Sequence, residues 1–391
     1  MSGMLPRLVC TAALAAGTLL APVSAAAVPE PGDGAGGPGG RSVAELLTEL
    51  QTLYREAEKA TETHNATEER LKKQRAETER LERALARTRT SLHDSRGAAG
   101  RLARQQYQSV SGLSPYVGLL LARDPQRVLD QGHVIGQLAR ERAQTVGRLT
   151  GEEEKARALA HRARKALDDR RVLTERSERQ RDEVRERLHD VEELLASLTA
   201  GQLAALAELE HSRIAEAQEE LVASGALSSG STPPTAAGER AVRYAVEQLG
   251  KPYEWGAEGP ATYDCSGLTS EAWGAAGTPI PRTSQEQWAR LERIELADLR
   301  PGDLVVYFPE ATHVALYLGD GMVVQAPRPG ARIKVSPVAA NPVLGAVRPD
   351  PDGEPLARYE MPELPEGATE GSDAGYSAGY APAAPEDSLR R

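Results

Sequence analysis

Two residues in the last third of the chain have the side-chain types and settings that nucleophilic catalysis requires. Cys265 stands at the start of an apolar helical pattern, where the positive end of a helix dipole lowers a thiol pKa and favours the thiolate. His313 opens an alternating, strand-like segment, whereas the other histidines lie on charged helical segments or, in the case of His133, in the apolar segment between them. A thiolate with an imidazole as its base performs acyl transfer. The competing interpretation is that Cys265 is only a small buried hydrophobe.

A third polar residue, Gln325, is predicted to orient the imidazole. The segments on either side of Gly319-Asp320-Gly321 both alternate as strands do, and the glycines are a tight hairpin signal. A three-residue loop places His313 and Gln325 diagonally adjacent on one face of the sheet. A two-residue loop places them on opposite faces.

The segment 239–349 carries five motifs in a fixed order. They are Gly250-Lys251-Pro252-Tyr253 with Trp255-Gly256, Asp264-Cys265-Ser266-Gly267-Leu268, Pro281-Arg282-Thr283-Ser284, Arg300-Pro301-Gly302-Asp303-Leu304, and His313-Val314 with Gly319-Asp320-Gly321. In order and spacing they resemble the NlpC/p-sixty family of papain-like cell-wall cysteine peptidases. The resemblance implies an α+β papain-like catalytic domain in which Cys265 is the nucleophile, His313 its base and Gln325 the residue that orients the imidazole.

The same resemblance implies substrate-binding roles for three residues near the cysteine. Tyr253 corresponds to the active-site tyrosine beside the developing oxyanion, and Asp264 and Ser266 line the substrate cleft. Two positions depart from the family pattern: Gln325 stands where His is frequent, and Ala257 stands where a second glycine is usual. Because Gln carries no charge to stabilise an imidazolium, lower or more pH-sensitive activity is expected.

The activity implied by the resemblance is cleavage of the γ-D-glutamyl to diamino acid bond in peptidoglycan stem peptides by a thioester mechanism. One alternative keeps the Cys/His chemistry in a peptidoglycan amidase or acyl transferase. The other is a non-catalytic cell-wall or divisome scaffold. No cofactor is expected, and no metal site, because the globular segment has no His/Cys/Asp cluster at ligand spacing.

The N-terminus has the features of a secretory signal, predicted over residues 1–27. A positive charge precedes an apolar run from Leu8 to Ala21, and small residues follow it. Cleavage removes Cys10 and leaves Cys265 as the only thiol of a secreted protein of the cell wall or extracellular space. A retained membrane anchor is the disfavoured alternative, because the run is shorter than the roughly 20 residues that span a bilayer.

After a linker over 28–41, residues 42–224 are predicted to form an all-α antiparallel coiled-coil hairpin. A capping box at Ser42-Val43-Ala44-Glu45 starts the first helix, and apolar residues then recur at spacings of four and three. Glycines and prolines between Ser109 and Gly136 interrupt the repeat at an apolar tip, and helical character resumes around Gln137. A single solvated helix and a parallel dimeric coil are the alternatives, and the central position of the break favours the hairpin.

Three further segments complete the predicted organisation. A Ser- and Pro-containing linker spans 225–238, the peptidase domain spans 239–349, and a tail rich in Pro, Gly and Ala spans 350–391 and is predicted to be disordered.

The charge balance indicates which partners to expect. The 391 residues include 47 Lys and Arg against 57 Asp and Glu, and the net charge of −10 disfavours nucleic acid. Peptidoglycan stem peptides are the expected substrate. The hairpin is predicted either to cover the Cys265 cleft or to dock on a membrane or divisome partner that uncovers it, and the alternative is a passive spacer.

Overall fold

The computed structural model describes residues 41–109, 125–227 and 232–371. The predicted signal peptide, nearly all of the first linker and residues 110–124 of the predicted hairpin tip lie outside the described residues. Within the described ranges, none of the helices combines the length and the apolar character needed to cross a membrane.

The described ranges contain a long helical part followed by a small antiparallel sheet domain. The α-helices are α1 Val43–Ser109, α2 Pro125–Ala196, α3 Ala200–Ala223, α4 Ala236–Glu247, α5 Cys265–Ala275 and α6 Ser284–Arg290. The strands are β1 Glu292–Ile294, β2 Leu304–Tyr307, β3 His313–Gly319, β4 Met322–Gln325, β5 Lys334–Pro337 and β6 Val343–Arg348. They form one sheet in the order β1-β6-β2-β3-β4-β5, with antiparallel pairing throughout.

Helices α1 and α2 lie side by side and run in opposite directions. Near the far end of α1, Arg96 Nη2 lies 2.9 Å from Glu153 Oε1 of α2. Near the other end, Arg187 Nη1 of α2 lies 3.4 Å from Glu56 Oε2 of α1. Since α1 has 67 residues, the pair extends for about 100 Å.

The second long helix begins earlier than predicted. α2 starts at Pro125 rather than near Gln137, so Gly132 and Gly136 lie inside it. Proline is tolerated at a helix start because its missing N–H would be unpaired there. An isolated glycine costs about 1 kcal/mol relative to alanine, which is too little to end a helix of this length.

A third helix, which the hairpin prediction lacked, connects the helical part to the sheet domain. The chain breaks after Ala196, and Thr199 with Gln202 forms the capping box that starts α3. From α3, Gln218 Nε2 donates to the carbonyl of Gly321 at 3.1 Å, and its Oε1 accepts from the backbone N–H of Ala339 at 3.0 Å. α3 therefore contacts the sheet domain directly.

The sheet is buried on both faces because its strands alternate two sets of apolar residues. Leu304, Val306 and Leu316 belong to the main core, which also contains residues of α4 and α5. Val305 and Ala315 belong to a second cluster, against which Leu221 and Leu227 pack at and beyond the end of α3. This double burial holds β3 and β4, which carry the candidate site, in a fixed position.

Two predicted boundaries differ from the structure. α4 begins at Ala236, capped by the Thr235 side chain, so the second predicted linker ends before 238. The prediction of disorder from residue 350 onward is wrong for residues 350–371. Composition favours disorder there, but Leu364 and Ala368 pack against the main core of the sheet domain. Residues 372–391 lie outside the described residues.

Candidate active site

Helix α5 presents Cys265 at its first position. Asp264 is the N-cap, and its Oδ1 accepts a hydrogen bond from the Gly267 N–H at 2.6 Å. A side chain at Gly267 would place its Cβ 2.2 Å from the Ala257 carbonyl oxygen, so glycine allows the loop to approach the helix. The Cys265 thiol is buried and interacts with the backbone N–H of Val314, the residue after His313. Nucleophile and base candidates therefore share one pocket.

A β-bulge brings His313 and Gln325 together. The turn between β3 and β4 has two residues, Asp320 and Gly321, whose positive φ angles of 49° and 72° suit a tight hairpin turn. Simple alternation across such a turn would separate His313 and Gln325 to opposite faces. The register shifts just before the turn, and His313 Nε2 lies 2.8 Å from Gln325 Oε1. The loop is the two-residue one, yet the bulge restores the shared face.

This contact assigns different tasks to the two imidazole nitrogens. The Gln325 amide oxygen only accepts hydrogen bonds, so the ring donates to it through Nε2–H. Nδ1 is then the nitrogen that exchanges a proton with a reacting group.

Helix α1 covers this pocket through two carboxylates four residues apart. Glu58 Oε1 lies 3.4 Å from His313 Nδ1, within ion-pair range. Glu62 accepts from Ser266 Oγ at 2.7 Å, from the Ser284 backbone N–H at 2.8 Å and from Ser284 Oγ at 2.9 Å. Both acidic residues are buried. The predicted covering of the cleft by the helical part is therefore what the structure contains.

Two more residues of α1 extend the contact along the cleft. Asn65 Nδ2 donates to Asp264 Oδ2 at 3.0 Å, and the His64 ring meets the Trp255 ring edge-on, with centroids 5.4 Å apart. Sequence analysis missed these residues, as well as Glu58 and Glu62, because polar side chains on a charged helix are ordinarily solvated. The one signal was the polar interruption of the apolar repeat in this part of α1.

The covered arrangement reverses the expected pKa shift of the thiol. Burial raises the pKa of Cys265 well above its ordinary value, and the charges of Glu62, Asp264 and Glu58 raise it further. The hydrogen bond from the Val314 backbone acts in the opposite direction but is outweighed. The helix dipole alone would lower the pKa, as expected from sequence, but α1 adds burial and negative charge.

The two groups that face the thiol are shifted as well. Burial lowers the pKa of His313, but the carboxylate of Glu58 and the hydrogen bond with Gln325 outweigh burial, and the net shift is upward. Burial, followed by the charge of Asp264, raises the pKa of Glu62 to about 7. A protonated thiol beside a proton-retaining imidazole is a resting state in which the nucleophile is not formed.

The predicted substrate-binding residues occupy different settings. Asp264 is committed to the structure, because Arg282 holds both of its oxygens at 2.7 and 3.0 Å. Ser266 faces α1 through its bond to Glu62. Tyr253 is buried, and burial, then the nearby Cys265, raises the pKa of its phenol. In the described part of the chain, no group of His, Cys, Asp and Glu is arranged to hold a metal ion.

Comparison with known proteins finds a family match within this part of the chain. Residues 250–345 match the model of the NlpC/P60 family. A probable endopeptidase of Corynebacterium glutamicum (strain R) is 44% identical over 101 residues, which is 26% of this chain and 48% of that protein. A probable endopeptidase of Mycobacterium tuberculosis is 36% identical over 119 residues, which is 30% of this chain and 31% of that protein. The chain thus spans half or less of these relatives.

Solved structures with similar segments come from the same family. The NlpC/p60 domain of the peptidoglycan hydrolase SagA is 32% identical over 28% of this chain and 97% of that domain, with a TM-score of 0.27. A Mycobacterium tuberculosis protein described as a non-catalytic NlpC/p60 domain protein adapted to peptidoglycan binding is 31% identical, over 29% of this chain and 96% of that one, with a TM-score of 0.27.

Proposed function

Residues 250–345 are an NlpC/P60 domain, and on this basis we propose that the protein is a cysteine endopeptidase that cleaves peptidoglycan stem peptides. The observation that carries the proposal is the buried pocket in which Cys265 begins α5 while His313 Nε2 bonds to Gln325 Oε1 at 2.8 Å. A nucleophile, a base and a group that orients the base are the minimum set for covalent acyl transfer.

The mechanism follows from the tasks of these atoms. Once α1 is displaced, His313 Nδ1 takes the Cys265 proton, and the thiolate attacks the carbonyl carbon of the scissile amide. The oxyanion forms near the N–H groups at the start of α5 and near Tyr253, where partial positive charge stabilises it. The imidazolium then protonates the leaving amine, and a thioester remains on Cys265. Water, deprotonated by His313, hydrolyses the thioester to a free carboxylate and restores the thiol.

Gln325 supports this cycle without carrying charge. Its amide oxygen keeps the proton on Nε2, which leaves Nδ1 able to accept the thiol proton. Because an amide stabilises an imidazolium less than a carboxylate would, His313 returns its proton more readily. The proposal therefore assigns Cys265 and His313 as catalytic residues and Gln325 as a positioning residue.

The bond proposed to be cleaved is the one between γ-D-glutamate and a diamino acid, and the support for it is the family resemblance. We further propose that the protein acts outside the cell after removal of residues 1–27. Mass spectrometry of wall fragments after digestion tests the bond, because the new termini identify it. A new terminus at the sugar-peptide amide would instead indicate an amidase. Ligated products would indicate an acyl transferase, and the absence of new termini a non-catalytic scaffold.

A further inference from the structure

The covering helix touches the reacting groups with acids rather than with apolar side chains. Glu58 and Glu62 are one helical turn apart, so they project from the same face of α1 towards the domain. Glu58 reaches the imidazole, and Glu62 reaches Ser266 of α5 and Ser284 of α6. A segment that only blocked the entry of substrate would need a shape that fits the cleft, and it would not need acidic side chains.

Glu58 lies beside the imidazole nitrogen of His313 that has to act as the base. Gln325 occupies Nε2, so Nδ1 is the nitrogen that must take the proton from Cys265. Glu58 Oε1 lies 3.4 Å from that nitrogen. A carboxylate there favours a proton on Nδ1, and a protonated Nδ1 cannot act as the base.

Glu62 supplies the anchoring contact and a second negative charge. Its carboxylate fills the hydrogen-bonding capacity of Ser266 Oγ and of Ser284 through backbone N–H and hydroxyl. The same carboxylate lies close enough to Cys265 to disfavour a thiolate. Release of α1 would remove both carboxylates from the pocket together.

From this geometry we infer that α1 is an acidic latch, in which Glu58 occupies the proton-accepting nitrogen of His313 and Glu62 fastens the helix to Ser266 and Ser284. The inference rests on the proposed function of the pocket and names how that function is restrained. The latch covers the cleft and also prevents His313 from deprotonating Cys265. Displacement of the latch therefore restores the nucleophile and opens the cleft in one step.

The surroundings of Glu58 suit a contact that opens. A cavity of about 720 Å³ borders Glu58 between α1, α3 and the sheet domain, so the helix is not close-packed there. Among the residues that line this cavity, Arg328 pairs with Glu210 of α3 at 2.9 Å, and its guanidinium lies 4.5 Å from the centroid of the Tyr54 ring of α1. The latch is thus held mainly by polar contacts, which water replaces on release.

The test compares three single substitutions in the chain from residue 28 onward, where Cys265 is the only thiol. Glu58→Gln keeps the side-chain shape and removes the charge beside the imidazole, and Glu62→Ala removes the hydrogen bonds that fasten α1 to Ser266 and Ser284. Glu56→Gln is the matched control, because Glu56 lies on the same helix but is exposed and pairs with Arg187 of α2. Two rates are measured at pH 7: alkylation of Cys265 by iodoacetamide, and cleavage of a γ-D-glutamyl stem peptide. Circular dichroism melting confirms that each variant is folded.

The latch predicts at least a 10-fold faster alkylation in Glu58→Gln and in Glu62→Ala than in the parent, since each unit of fall in thiol pKa raises the thiolate fraction about tenfold. Glu56→Gln should match the parent. Faster alkylation without peptide cleavage would support the latch and contradict the proposed function. Alkylation that is unchanged in both folded variants, or raised equally by Glu56→Gln, would overturn the latch. If either variant fails to fold, Asn65→Ala, which removes the neighbouring contact with Asp264, takes its place with the same expectation.

Discussion

Raising the pH should loosen α1 from the pocket, because Glu62 holds a proton tightly only while it is buried there. Burial, with the charge of Asp264 as the next cause, raises the pKa of Glu62 from its ordinary 4.5 to about 7. The charge of Arg282 and the hydrogen bonds from Ser266 and Ser284 favour the charged form of this carboxyl, but burial and the charge of Asp264 outweigh them. Since the pKa is higher in the closed arrangement, protonation favours closure. That contribution is complete below pH 4.5, declines as the pH rises and is lost above about pH 7.

The size of the effect follows from the difference between the two pKa values. A difference of roughly two and a half units corresponds to about 3 kcal/mol, or a few-hundred-fold change in the ratio of closed to open molecules. His313 acts with the same sign, because the charge of Glu58 raises its pKa in the closed arrangement after the opposing effect of burial. Protonation of both groups therefore stabilises the closed arrangement, so the latch is tightest in acid and weaker at neutral and alkaline pH.

Hydrogen exchange of the α1 amides over residues 54–67 measures this directly. After correction for the intrinsic pH dependence of exchange, protection in the parent should fall by up to about 100-fold between pH 5 and pH 7. In Glu62→Gln the group cannot titrate, so the fall should be much smaller, with only the contribution of His313 left. An equal fall in parent and Glu62→Gln, or protection that rises with pH, would refute the reasoning.

Three further predictions follow from particular contacts. Gln325→Ala should lower kcat for stem-peptide cleavage by between about 10-fold and 10⁴-fold, whereas Gln325→His should remain active, and equal activity of Gln325→Ala and the parent would refute its positioning role. Arg282→Gln should lower the free energy of unfolding, measured with urea, by about 3 to 5 kcal/mol, because Asp264 stays buried without its cation. Arg243 is exposed, so Arg243→Gln should lower it by less than about 1 kcal/mol. Equal losses in the two variants would contradict this prediction. Thr199→Ala should lower the free energy of unfolding by about 1 kcal/mol, because it removes the N-cap of α3. An unchanged free energy of unfolding would show that the cap is dispensable.

Local signals were sufficient to predict much of the sheet domain. Asp264 before an apolar helical run predicted a helix that starts at the cysteine, and the structure has that helix with Asp264 as its cap. Alternation predicted strands beginning at His313 and ending near Gln325. These features depend on hydrogen bonds and side-chain periods within a few residues, which a sequence displays directly. The bulge before Asp320 was not predictable, because it depends on how both faces of the sheet pack.

Contacts between distant segments were beyond the reach of sequence patterns. Glu62 and Ser266 are 204 positions apart, and nothing in a charged helix marks one glutamate as buried rather than solvated. The direction of the Cys265 pKa shift was mispredicted for the same reason, because the helix dipole is local, whereas burial and the charges of Glu62 and Glu58 depend on the distant helix α1. The packing of Leu364 and Ala368 on the core was hidden in a segment whose composition favours disorder.

The central claim is that Cys265 is the nucleophile of a stem-peptide endopeptidase. The most direct measurement is mass spectrometry of a synthetic stem peptide after incubation with Glu58→Gln and with Glu58→Gln/Cys265→Ala, both verified as folded. These two chains differ only at Cys265. The account predicts new termini at the γ-D-glutamyl to diamino acid bond with the first protein and an intact peptide with the second. Cleavage that persists without the thiol, or an intact peptide in both reactions although the thiol of Glu58→Gln is reactive, would contradict it.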